Sequence, residues 1–166
     1  MTGRSLGHAG FTLVREYPHP VADVWAAFAE PARKRQWFGA GEGREQVGEW
    51  ESDFRVGGRE VAESRFHGGP VSRAVAVYTD LVEHERIVLT YDMWIDGAHI
   101  STSIASYEFE AVDGGTRLTH GEHGIHLDGF DLDGRLREQG SAGLLDLLGR
   151  ALGAGVNPGE RNSRPS

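Results

Sequence analysis

Asp133 to Leu152, DGRLREQGSAGLLDLLGRAL, is the stretch on which the fold turns. At 100° per residue, Leu136, Gly140, Gly143, Leu144, Leu147, Leu148, Ala151 and Leu152 gather on one side, with Arg135, Glu138, Gln139, Asp146 and Arg150 opposite. The spacing predicts an amphipathic helix of about 18 residues, ~27 Å long at a rise of about 1.5 Å per residue. Two residues interrupt the stripe: Arg137 and Ser141 fall inside the apolar arc, on the side of Leu144 and Leu148. Gly140 and Gly143 suggest that a sheet or a ligand comes close to the N-terminal half. The helix therefore reads as core at its C-terminal end and as cavity wall at the other.

Upstream of it the period is mostly two. Phe11–Tyr17 alternates, with Phe11, Leu13, Arg15 and Tyr17 on one face, and Pro18 and Pro20 end this first strand. Val21, Val24, Trp25 and Phe28 stand at helical spacing up to the break at Pro31, and a second short helix runs from Ala32 to about Trp37. Six strands follow: Gly48–Phe54, Arg59–His67, Val71–Leu81, Ile87–Ile95, Ile100–Val112 and Thr116–His123. Turn signals separate them, Asp96-Gly97 being the strongest. Consecutive hairpins imply an antiparallel sheet, and the one long helix must bury its stripe against it. The expected class is α+β: a curved antiparallel sheet of about seven strands wrapped around a C-terminal helix. Residues 1–9 read as a flexible lead-in, 10–153 as a single domain and 154–166 as a disordered tail.

The totals narrow the function classes. A chain of 166 residues with a net charge of -8 argues against nucleic acid as a partner. No apolar run approaches the ~20 residues of a membrane span. The absence of cysteine removes disulfides, thiolate metal sites and a cysteine nucleophile, and cytoplasmic is the default location. The 24 glycines, about twice the usual share, sit mainly at turns between short apolar runs.

Four motifs occur in a fixed order: Pro20, Val24, Trp25, Ala27 and Phe28; Pro31, Trp37, Phe38 and Gly39; Asp53, Arg55, Gly57 and Gly58; and GGTRLT from Gly114 to Thr119. Over roughly residues 9–153 the chain resembles the START-like (SRPBCC, helix-grip) superfamily, and more narrowly the branch named for the activator of heat-shock-protein-90 ATPase homologue. The resemblance implies the helix-grip fold and a cavity between sheet and helix. It also implies a range of activities, from carriers of hydrophobic molecules to polyketide cyclases and dehydratases. A chaperone contact is implied by the family name alone. In relatives a lid often covers the cavity mouth where Trp37 falls, which makes Trp37 a candidate contact.

The residues supply further candidates. His99, Ser101, Ser103, Ala105, Tyr107 and Phe109 share a strand face whose small members leave space at one end, unless Ser101 and Ser103 face solvent. Tyr91 continues the inward face of Ile87 and Leu89. In the tract His120–His126, His120 and Glu122 share a face if it is a strand, and His126 joins them where the strand runs on that far. Gly121 and Gly124 favour a polar strand end and loop over a zinc or iron site. Between those readings, His120 and Glu122 would line the cavity and move protons. Arg137 either snorkels to water, the simpler outcome, or caps the cavity and pairs with Glu122 or a ligand carboxylate. Gly57-Gly58 reads as a tight turn.

The expected function is binding of a small hydrophobic or aromatic molecule by Trp37, Tyr91, Ser101, Ser103, Tyr107, His120, Glu122, Arg137, Ser141 and Leu144. The alternatives are a cyclase or dehydratase using His120 and Glu122, and a chaperone-interaction module. No metal or cofactor is expected, and a homodimer is a candidate assembly.

Overall fold

The structure is a computed structural model, and it describes residues 3–39 and 43–154. In chain order its elements are β1 (Leu6–Tyr17), α1 (Val21–Ala29), α2 (Pro31–Arg35), β2 (Arg44–Ser52), β3 (Arg59–Phe66), β4 (Val71–Val82), β5 (Arg86–Ile95), β6 (Ala98–Val112), β7 (Gly115–Leu127) and α3 (Arg135–Ala154). The seven strands form one antiparallel sheet in the order β1-β7-β6-β5-β4-β3-β2. This is the helix-grip α+β fold. Each hairpin from β2 to β7 is local, and only β1 reaches across the chain, pairing Leu6 with Leu127 and Tyr17 with Thr116.

Short-range chemistry accounts for the meander. Asp96 and Gly97 both have positive φ, 47° and 83°, as a tight two-residue hairpin requires. Register shifts interrupt the ladders between Gln46 and Trp50, Tyr78 and Asp80, and Met93 and Trp94. Bulges of this kind bend strands, and here they curl the sheet over α3.

The core fills one end of the grip. Val24, Phe28, Trp37, Leu118, Leu145 and Leu148 are each at most 1% exposed. On α3 the buried line is Leu145, Leu148 and Leu152, with Leu144, Leu147 and Ala151 at its margins. The arc expected from the sequence is thus turned toward Leu145, and Leu136 stands 59% exposed. The cause is the partner: the helix leans on β1, where the Tyr17 hydroxyl donates to the Leu145 carbonyl at 2.8 Å. The glycine of close approach is Gly149, whose added Cβ would meet the Tyr17 ring at 3.2 Å. Gly140 and Gly143, expected to meet the sheet or a ligand, have no protein atom within 4 Å of theirs, and Gly140 faces the space under the helix.

Other expectations need correcting. β1 begins at Leu6, inside the stretch 1–9 read as lead-in, because β7 runs on unbroken to Leu127 and offers it a full ladder. Gly121 and Gly124 do not end β7. The tail reading falls on residues 155–166, which lie outside the described residues, and Ala154 is the last residue of α3. His99 leaves the face of Ser101 because the irregularity at Met93/Trp94 turns it outward onto Trp94. Among the described residues, no helix is long and apolar enough to cross a membrane.

Candidate functional site

Where α3 starts, the sheet presents its polar inward face. Glu122 on β7 is 3% exposed, and Tyr91 on β5 places its hydroxyl 2.8 Å from both carboxylate oxygens, donating to one at a time. Arg137, on the first turn of α3, drives its guanidinium into the same place. Its Nη1 donates to Glu122 Oε2 at 3.2 Å, to the Tyr91 hydroxyl at 2.9 Å and to Ser103 Oγ at 3.2 Å, while Nη2 donates to Ser101 Oγ at 2.5 Å. Snorkelling to water, the simpler expectation, is therefore not what happens. The helix is seated too close to the sheet at this end, and the side chain turns inward onto a carboxylate that would otherwise be buried alone. The helix start is itself pinned: the Asp131 carboxylate accepts the backbone N–H groups of Leu136 and Arg137, both at 2.9 Å.

His120 stands two residues from Glu122 on the same face, 2% exposed, with its Nε2 3.8 Å from Glu122 Oε1. Its Nδ1 lies 3.0 Å from the Ser106 carbonyl, and its ring stacks on Tyr107 at 4.3 Å. A carbonyl only accepts, so Nδ1 carries the hydrogen and Nε2 keeps its lone pair. Burial lowers the pKa of His120, which favours that neutral ring, and burial raises the phenols of Tyr91 and Tyr107. His126 continues the face, yet its Nδ1 lies 4.0 Å from Asp131 rather than toward Glu122. Among the described residues no group of three His, Asp or Glu side chains converges as a metal site would.

A second buried ion pair sits toward the opposite, β3 side. Lys34 of α2 and Glu60 of β3 are 3% and 4% exposed, with Nζ 3.3 Å from the carboxylate, which also accepts the Tyr78 hydroxyl. The ammonium lies over the rings of Phe28, Trp37 and Phe38 at 5.2, 5.0 and 4.7 Å.

Between the two pairs lies a cavity of about 270 Å³ under α3. Tyr91, Tyr107, His120, Glu122, Arg137, Ser141 and Leu144, all expected at the site, line it. Ser101 and Ser103 are 0% and 2% exposed and hold the Arg137 guanidinium instead of forming the wall. Trp37, expected at the mouth, is core: it packs edge-on against Phe28 and donates its indole N–H to the Ala27 carbonyl at 2.9 Å. Lys34, Arg44, Glu60 and Asp131 also line the cavity and were not foreseen. The sequence held one sign of this wall. Ala62 and Ser64 on β3, and Ser72, Ala74 and Ala76 on β4, are small residues at period two, and all five line the cavity.

The comparisons with known proteins agree with this architecture. The family model for activator of Hsp90 ATPase homolog 1-like protein matches residues 18–153. A solved protein from Rhizobium leguminosarum is 34% identical, with a TM-score of 0.85 over 92% of this chain and 99% of that one. One from Rhizobium loti is 39% identical, with a TM-score of 0.79 over 89% and 99%. At 20% identity, an AHSA1-like protein from Aeromonas hydrophila shares the fold, with a TM-score of 0.66 over 87% and 92%. The comparison with curated proteins gives no match. With the same helix grip and a match across most of its length, the chain belongs to the activator of Hsp90 ATPase homolog 1-like family, in the START-like superfamily.

Proposed function

We propose that the protein binds a small hydrophobic or aromatic molecule, in the cytoplasm, within the cavity between sheet and α3. The observation that carries this reading is the cavity itself. Its ~270 Å³ is close to the lower end of the range of about 300–1,000 Å³ common for ligand sites, and Leu89, Met93, Ile95, Ile100 and Leu144 share its wall with a few convergent polar groups. Tyr91, Glu122 and Arg137 would meet a polar substituent of the ligand. Native mass spectrometry of the purified protein and of Leu144→Trp, which fills the space, tests the reading. The expected result is a bound apolar compound, or an aromatic compound taken up on addition, in the wild type alone. A wild-type protein that carries and accepts none would sink it.

A second reading is favoured by one observation, the unprotonated Nε2 of His120 beside Glu122 on the cavity wall. Such a base supports cyclase- or dehydratase-type chemistry on a polyketide-like substrate, taking a proton next to a carbonyl. A structural neighbour, 18% identical and alike in fold, is a protein in the dynemicin biosynthetic locus. Loss of water from an added β-hydroxy thioester, abolished in His120→Ala, would support this reading. Equal conversion by both proteins would remove it.

A further inference from the structure

Among the described residues, the charges on the cavity wall do not all find a partner of opposite sign. Glu60 is held by Lys34 and Tyr78, Glu122 by Arg137 and Tyr91, and Asp131 by the first turn of α3. Arg44, the first residue of β2, also lines the cavity, and no described carboxylate lies within ion-pairing distance of it. Its Nη1 donates to Ser64 Oγ at 2.9 Å, and its Cζ sits 5.6 Å from the Phe66 ring. Its Nε is buried with no hydrogen-bond partner. Burial lowers the pKa of this guanidinium, with no neighbouring charge to offset the effect. Glu60 offers no relief: on the same strand it is four residues from Ser64, about 13 Å at ~3.3 Å per residue, and its Oε2 already meets Lys34 and Tyr78.

A half-buried guanidinium whose Nε is enclosed and unsatisfied costs stability unless something answers it. Around it the wall is built for a headgroup. The Ser64 and Ser72 hydroxyls are 3.3 Å apart and both line the cavity, and Ala62, Ala74 and Ala76 continue from them as a small-residue apolar track. We infer that Arg44 is an anion-binding residue of this cavity, and that its ligand is an amphiphile with an apolar body and a carboxylate seated on Arg44, Ser64 and Ser72. One unpaired guanidinium matches one negative charge in a planar fork, whereas a phosphate monoester would bring nearly two charges. The inference rests on the apolar-ligand reading above and adds to it the charge of the ligand and the end of the cavity where that charge lies.

Calorimetric titration with paired probes tests it: 2-naphthoate, 4-phenylbutanoate and decanoate, each against the corresponding alcohol. The wild type is expected to bind at least one acid about tenfold or more tightly than its alcohol, the range of a charge-assisted hydrogen bond. Arg44→Gln should bring that acid down to the level of the alcohol and leave the alcohol unchanged, while Arg44→Lys keeps part of the preference. The Arg44 Nε–H resonance of the wild type should shift with the acid and not with the alcohol, a readout that does not depend on a variant folding. Equal binding of acid and alcohol, with an unmoved Arg44 signal, would overturn the anion site and leave the apolar cavity standing. Failure of every acid and every alcohol to bind would overturn both.

Discussion

The two buried ion pairs are built on one plan with different cations. In each, a helix contributes the cation, an inward strand position the glutamate, and another strand a tyrosine that donates to it, β4 beside β3 for Glu60 and β5 across β6 from β7 for Glu122. Lys34 is a compact point charge packed against three aromatic rings, and its pair with Glu60 lies on the core side of the cavity wall. Arg137 is a planar fork and is held by hydroxyls, those of Tyr91, Ser101 and Ser103, beside Glu122. The difference teaches where each pair belongs. Rings make a setting fitted to one cation. Hydroxyls can exchange partners, and a site that must admit a ligand's polar group needs that exchange.

The largest expected effect separates the pairs from ordinary core. Arg137→Met should lower stability by about 3–5 kcal/mol in urea unfolding, because Glu122 is left buried without its cation. The double variant Arg137→Met, Glu122→Gln should recover more than half of that loss. A single variant as stable as the wild type would show that the Arg137–Glu122 pair is not what holds this end of the helix.

The next effect is smaller and belongs to the Arg137 side, where His120 and His126 lie. Both have pKa values lowered from the usual 6.5, chiefly by burial. The unfolded chain therefore takes up protons before the folded one does, so stability is fully present above about pH 6.5 and falls as pH drops through the window below it. Melting temperatures from pH 8 to 5 should show this decline, and His120→Gln should flatten it. A decline unchanged in that variant would assign it to other groups.

The smallest effect probes the helix that carries Arg137. Gly143 has nothing within 4 Å of an added Cβ, so Gly143→Ala should stabilise the protein by about 0.5–1 kcal/mol through helix propensity alone. Thermal denaturation reads it, and ligand affinity should not move. A loss of affinity would mean that a ligand reaches that face of α3.

Much of this was legible in the chain. Period two, the Asp96-Gly97 hairpin and the apolar stripe of α3 are local signals, and each names its own element. Tyr91, Tyr107, His120 and Glu122 were legible because alternation along a strand fixes which face a residue takes once one neighbour is assigned. Arg137 was only half legible: its place in the apolar arc is a matter of helix phase, but its direction depends on how closely the helix is seated. Lys34, Glu60 and Arg44 were not seen, because the facts that bury them come from strands and helices far along the chain. The Trp37 expectation failed for a nearer reason: the angle between α1 and α2 carries its indole onto the Ala27 carbonyl, and local spacing does not give that angle.

β1 is the first strand made and pairs with β7, more than a hundred residues later, at the Leu6–Leu127 end of the ladder. On a ribosome it therefore waits as an unpaired strand until nearly the whole domain has emerged, while the hairpins from β2 to β7 can form as they appear. Closing that last ladder joins the most distant segments, which places it late and makes it the slow step of refolding. Pulse-labelled hydrogen exchange should find the amides of Thr12 and Val14 protected after those of β5 and β6, and simultaneous protection would show that the sheet assembles in one event.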